Sequence, residues 1–286
     1  MSKQSNRIRL LLGSSGLDWS TTMGMSKMLR GTNPPLSQKG RVRFKEWSLV
    51  SAQKFFPDFY DSVTGTPPIL HRDIFGDKFK GSKVLIVGGG PSTGEVDWDA
   101  KDYDFIWSMN HGFRYGPKWD LIIVGNTVKL DAADLHEFMN TNSHCYIGVE
   151  THPVYEDLDI RTYLNNEMVP MYDKRLFWFA CAFWSWIGLG ARMILLAGRL
   201  GAKECHVVGL DGPEPAFKRQ HVFEPNKKLE YLSGTVRAAG PKQSVGMYKH
   251  EYKRLKRLAD ESYPDMKVSN LARDKSYNII GSLFDG

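Results

Sequence analysis

Hydrophobic and polar positions fall into two regimes along the chain. Before about residue 80 the periodicity is poor, and Asn33-Pro34-Pro35 and Thr66-Pro67-Pro68 break it. Short irregular or helical structure, packed on a main domain, is expected over residues 1–80. From Lys83 onward, short apolar runs end in glycine or polar residues: 84–87, 104–109, 121–124, 145–149, 205–209 and, more weakly, 266–269. Continuous apolar runs of this length suit strands buried on both faces. Trp184 to Leu200 is apolar nearly all round and predicts a central helix. In Met247 to Ser262 the residues Tyr248, Tyr252, Leu255 and Ala259 share one face of an amphipathic helix. Polar, proline-bearing residues 213–242 lie between, longer than an ordinary connection, and read as a lid or flexible insertion. Strands alternating with helices predict a Rossmann-like α/β fold with a mainly parallel, doubly wound sheet over residues 81–286.

Such sheets bind ligands beyond the carboxyl ends of their strands. The first regular strand ends in Gly88-Gly89-Gly90-Pro91-Ser92. Glycines permit a sharp turn whose N–H groups approach an anion, and a helix starting at Pro91 adds its dipole. A tight turn with no ligand is the alternative. Thr93 stands where a dinucleotide fingerprint needs glycine, and no Gly-Lys-Ser/Thr follows to make a P-loop. Asn110 and Asn126 close the next two runs, each able to donate and accept hydrogen bonds; His111 reads as structural. Asp211, in Gly209-Leu210-Asp211-Gly212, suits a sugar hydroxyl, a base edge, a metal or an Asx turn equally.

The net charge of +6 and pI of about 9.0 are compatible with phosphate-bearing partners. Lys249, Lys253, Arg254, Lys256 and Arg257 crowd one helix, either as a solvated face or as a track for a phosphate backbone. The three cysteines, Cys145, Cys181 and Cys205, form no CxxC pair, which argues against a zinc site and for a reducing compartment. No apolar run approaches the roughly 18 residues of a membrane span, so a cytoplasmic protein is expected. Asp97-Trp98-Asp99 has the DxD form of metal-dependent transferases but sits in a polar stretch and reads as a solvated helix start. Phe177, Trp178, Phe179, Phe183, Trp184 and Trp186 read as core.

Val-Gly-Gly-Gly-Pro-Ser at 87–92, the asparagines after strands two and three, a small-residue helix and Gly-Ala-Lys-Glu-Cys-His-Val-Val-Gly-Leu-Asp at 201–211 together resemble the bacterial CMP-sialic-acid sialyltransferases that modify lipooligosaccharide. They are also similar to a related set that includes hydroxymethyl-dihydropterin diphosphokinases. The resemblance covers roughly residues 83–270. It implies a nucleotide-sugar donor held by Gly90, Pro91, Ser92, Asn110 and Asn126, with Gly188 to Gly190 lining the donor segment. It implies a late histidine as general base, for which His250 after Tyr248 is the match, one residue short in spacing; His221 is the rival base. Gly212 and Pro213 stand where the family has phosphate-binding tyrosines, leaving Lys218, Arg219, Arg237 or Lys242 for that task.

The resulting expectation is a metal-independent glycosyltransferase moving a sugar from a nucleotide-sugar donor to a hydroxyl of a glycan or of a modified base in DNA. The alternatives are an ATP-dependent diphosphokinase using Mg2+ on Asp97, Asp99 or Asp211, and a non-catalytic nucleic-acid-binding module.

Overall fold

Val84 to Val87 is buried completely, as a continuous apolar run in a covered parallel sheet requires. The computed structural model describes residues 69–70, 74–97, 102–116, 118–125, 133–150, 169–180, 188–212, 222, 234–272 and 284. The chain divides into two compact units, Met1–Ile74 with Ile122–Trp184, and Phe75–Leu121 with Ser185–Gly286.

The second unit holds β2 (Lys83–Val87), β3 (Phe105–Met109), β7 (Glu204–Val208) and β8 (Lys267–Asn270), all parallel, in the order β3-β2-β7-β8. The chain leaves β2 toward β3 on one side, while β7 lies on the other. The strand order therefore reverses at β2, and the β2/β7 edge is the topological switch point where α/β sheets open a crevice. Helix α2 (Leu189–Arg199) packs on β2, β7 and α3 (Gly234–Ser262). Every residue of α2 from Leu189 to Gly198 is buried, as its all-round apolar sequence predicts. Tyr248, Tyr252, Leu255 and Ala259 form the buried face of α3. Phe79 seals the amino end of the unit, edge-on to Phe105 and Trp107 at 4.6 and 5.3 Å.

The first unit contains β1 (Ile69–Leu70), β4 (Leu121–Val124), β5 (Tyr146–Glu150) and β6 (Leu176–Ala180), with α1 (Ala133–Thr141) between β4 and β5. β5 and β6 are parallel, and β1 runs antiparallel along β6. Phe177, Trp178 and Phe179 of β6 are fully buried, so this part of the aromatic cluster is core. Arg175 closes the unit by donating to the carbonyls of Met139 and Asn142 at 2.8 and 3.1 Å, satisfying the free carbonyls at the end of α1.

The fold is the expected Rossmann-like, mainly parallel α/β arrangement, with three differences. Leu176–Ala180 is a strand and not merely an aromatic cluster. Ile69–Leu70, within the presumed extension, adds an antiparallel edge. Residues 234–242, read as part of a lid or flexible insertion, belong to α3, which begins at Gly234 and runs through Gly240-Pro241. The rest of that stretch, apart from Val222, lies outside the described residues, as do most of residues 1–80.

Ser108, at the end of β3 and paired with Val87, is fully buried, and its hydroxyl has no hydrogen-bond partner. An unmet buried hydroxyl costs about 1–3 kcal/mol. Ser108→Ala is therefore expected to raise the melting temperature by roughly 2–4 °C. An unchanged or lowered Tm in differential scanning calorimetry contradicts this.

Candidate functional site

At the switch point two loops cross, one leaving β2 and one leaving β7. Gly88 donates its N–H to the carbonyl of Val208 at 2.8 Å, and Gly90 to that of Gly209 at 2.9 Å. Ser92 donates its N–H to Asp211 Oδ2 at 2.8 Å and its hydroxyl to Asp211 Oδ1. Gly209 donates back to Ser92 Oγ at 2.8 Å. Thr93 Oγ1 donates to the carbonyl of Gly88 at 2.7 Å, and the Thr93 N–H to that of Gly90 at 3.1 Å. Ser92, Thr93 and Asp211 are buried at 4%, 1% and 5% exposure, so these bonds form largely shielded from water.

The same crossing accounts for the glycines. A Cβ on Gly88 would strike the Gly209 carbonyl and the Leu210 side chain, and one on Gly90 would strike Asp211 and the Gly209 carbonyl. Gly209 lies at φ +72, and its Cβ would strike Thr93 Oγ1 and the Gly88 carbonyl. Gly190, in the first turn of α2, leaves room for Leu210. Gly188, also left-handed at φ +85, starts α2 with nothing within 4 Å of its Cβ position. Loop-to-loop approach thus explains Gly88, Gly90, Gly190 and Gly209 without any ligand.

This changes the role expected of the turn. The N–H groups of Gly88, Gly90, Ser92 and Thr93 all donate to protein acceptors. The Asp211 carboxylate already places negative charge at the start of the single 3-10 turn Pro91–Glu95, where an anion grip was expected. A phosphate at that point would have to displace it against like-charge repulsion. Gly89, Gly90, Pro91, Leu210 and Gly212 at the crossing are half-buried, as is Asn110 at the end of β3. Asn110 has φ +53, the positive-φ non-glycine conformation that asparagine tolerates best, and it opens the 3-10 turn Asn110–Tyr115, which contains half-buried His111.

On α3, Tyr252 is 1% exposed, and its pKa is raised well above the ordinary value first by burial, then by Tyr248 and last by Asp211. Tyr248 is likewise raised by burial, and the two rings lie 6.1 Å apart. His250 is on the outer side of this helix, 67% exposed, with Nε2 4.0 Å from Glu251 Oε1. Glu251 is buried and accepts from Arg254 Nη1 at 3.0 Å. Lys256 pairs with Asp260 at 2.7 Å, and Arg257 with Glu261 at 4.0 Å. Three of the five cations expected to form a basic track are therefore matched by acids of the same helix, while Lys249 and Lys253 are exposed.

Sequence reasoning missed Thr93, which it read only as a broken fingerprint. The four-residue Gly209–Gly212 turn at the adjacent strand end was the available signal for the crossing. Asn126, His221, Lys218, Arg219, Asp99 and Trp98 lie outside the described residues, as do the side chains of Arg237 and Lys242. Asp97 is exposed. Among the described residues no cluster of three or more His, Cys, Asp or Glu side chains is arranged to hold a metal ion, and no helix is long and apolar enough to cross a membrane.

No family model matches the chain, and no curated protein matches it. Among solved structures it is similar to the sialyltransferase CstII from Campylobacter jejuni, determined with the substrate analogue cytidine-5'-monophosphate, at 14% identity and TM-score 0.44, over 72% of this chain and 89% of that one. It is also similar to the monofunctional alpha-2,3-sialyltransferase Cst-I from Campylobacter jejuni, at 15% identity and TM-score 0.45, over 72% of this chain and 82% of that one. Neither likeness places the chain in a family.

Proposed function

We propose that the protein is a glycosyltransferase that takes its sugar from a nucleotide-activated donor. The observation that carries this reading is the β2/β7 switch point, where the glycine turn and Asn110 line the carboxyl ends of parallel strands, the usual seat of nucleotides in such sheets. Because the amides of Gly88, Gly90, Ser92 and Thr93 are committed and Asp211 supplies its own charge, the donor's phosphate lies away from the turn. The half-buried rim of Gly89, Gly90 and Asn110 takes the nucleoside, whose hydroxyls and base edges need both donors and acceptors. Basic side chains from residues 213–242 then stabilise the leaving phosphate. His250, exposed on α3, takes the proton from the acceptor hydroxyl, with His221 as the other candidate. The acceptor is a hydroxyl of a glycan or of a modified base in DNA. The reading is metal-independent, with the Asp211 carboxylate bonded twice by Ser92 and spent on the loop crossing.

A thermal-shift panel of CMP, UDP, GDP and ADP, with and without magnesium, tests this. One nucleotide is expected to raise Tm by roughly 5 °C at a hundred times its Kd, equally with EDTA present. No shift with any nucleotide removes the reading; a shift with ADP alone that needs magnesium favours a diphosphokinase.

A further inference from the structure

We propose that Asp211 is a positioning residue that holds the donor turn in register with the loop after β7, and that it touches neither donor nor metal. The inference rests on the donor-site reading above. Both carboxylate oxygens accept from Ser92, one from its amide and one from its hydroxyl, and the Ser92 hydroxyl accepts in turn from Gly209. The three residues form one closed bridge between the loop after β2 and the loop after β7. At 5% exposure Asp211 presents almost no surface to a ligand. The rim that meets the nucleoside, Gly89 and Gly90, is covalently continuous with Ser92. Its placement relative to the loop after β7 is therefore set through Ser92, Asp211 and Gly209.

A carboxylate suits this task in a way its near-isostere does not. Asparagine at 211 would offer one oxygen and one N–H2, so the Ser92 amide and the Ser92 hydroxyl proton could not both be accepted while Gly209 keeps its own bond. A bridge of this kind acts as a unit, and residues acting as a unit give non-additive losses.

The experiment is a cycle of wild type, Ser92→Ala, Asp211→Asn and the double variant. The readouts are Kd by calorimetry for the nucleotide that shifts the wild type, donor KM and kcat, and amide hydrogen exchange over residues 88–93 and 207–212. Each single variant is expected to bind on the order of ten-fold more weakly, and the double variant no worse than the weaker single. Donor KM should rise more than kcat falls, and exchange should quicken in both segments. Additive losses in the double variant, or restoration of Asp211→Asn by added magnesium, would place Asp211 on the ligand or a metal and overturn the inference. So would Asp211→Asn binding as tightly as wild type, which leaves a purely structural bridge. If Asp211→Asn does not fold, Ser92→Ala alone decides: faster exchange confined to 88–93, with 207–212 unchanged, overturns the coupling. A wild type that binds no nucleotide overturns the donor-site reading and this inference together, whereas failure on the variants against a binding wild type overturns only the inference.

Discussion

Gly209→Ala is expected to cost about 3–6 kcal/mol, enough to unfold a domain of ordinary stability in mild denaturant. Two effects coincide at this residue. Its φ of +72 is disfavoured for any side chain, at about 1–2 kcal/mol. Its Cβ also lands on Thr93 Oγ1 and on the Gly88 carbonyl, and backbone cannot swing aside as the end of a flexible side chain can. Relief requires the two loops to part, which breaks the Gly90 to Gly209 bond at 2.9 Å and the Gly209 to Ser92 bond at 2.8 Å, each worth about 1 kcal/mol. Gly76→Ala is the control. That residue has φ +52 but nothing within 4 Å of its Cβ position, so only the conformational cost applies. Urea unfolding should show a loss about three times larger for Gly209→Ala than for Gly76→Ala, and equal losses would mean that the crossing is not tightly packed.

That contrast also shows where sequence reasoning stopped. A glycine required because a ligand approaches and one required because a neighbouring loop approaches look the same in a sequence: both forbid a Cβ. Gly88 and Gly90 read as a phosphate turn, and only coordinates reveal Gly209 and Asp211 occupying the space. The strands were legible for the opposite reason. Residues 84–87 and 121–124 are buried on both faces, so their burial is written as unbroken apolar runs. β6 escaped because Phe177, Trp178 and Phe179 lie in a longer aromatic stretch with no turn residue to set a boundary. α1 escaped because a short helix burying only Leu135 and Met139 has too little periodicity to stand out. The start of α3 was hidden by Gly240-Pro241, where local propensity predicts an end and the helix continues.

The second large effect is alkaline unfolding, and it follows from three groups buried in the same unit. Cys205, Tyr248 and Tyr252 are held protonated by burial, all with pKa values raised above their ordinary 9.0, 10.0 and 10.0. In the unfolded chain the thiol and the two phenols ionise near those ordinary values, while the folded protein keeps its protons well above them. Above about pH 9 the unfolded state therefore binds fewer protons than the folded state, and stability must fall as pH rises. One proton corresponds to about 1.4 kcal/mol per pH unit, so with all three engaged the slope approaches about 4 kcal/mol per unit beyond pH 10. By pH 11 the loss reaches roughly 5 kcal/mol, comparable to the whole stability of many domains. Below pH 8 these groups contribute no pH dependence, since both states hold the protons. Urea midpoints measured from pH 8 to 11 should be level at first and then drop steeply. Tyr252→Phe should remove one proton from the slope, flattening it by about a third, because phenylalanine fills the same space in α3 without an ionisable group. A wild-type midpoint that stays level to pH 11 would mean that these three groups are not buried in the folded protein.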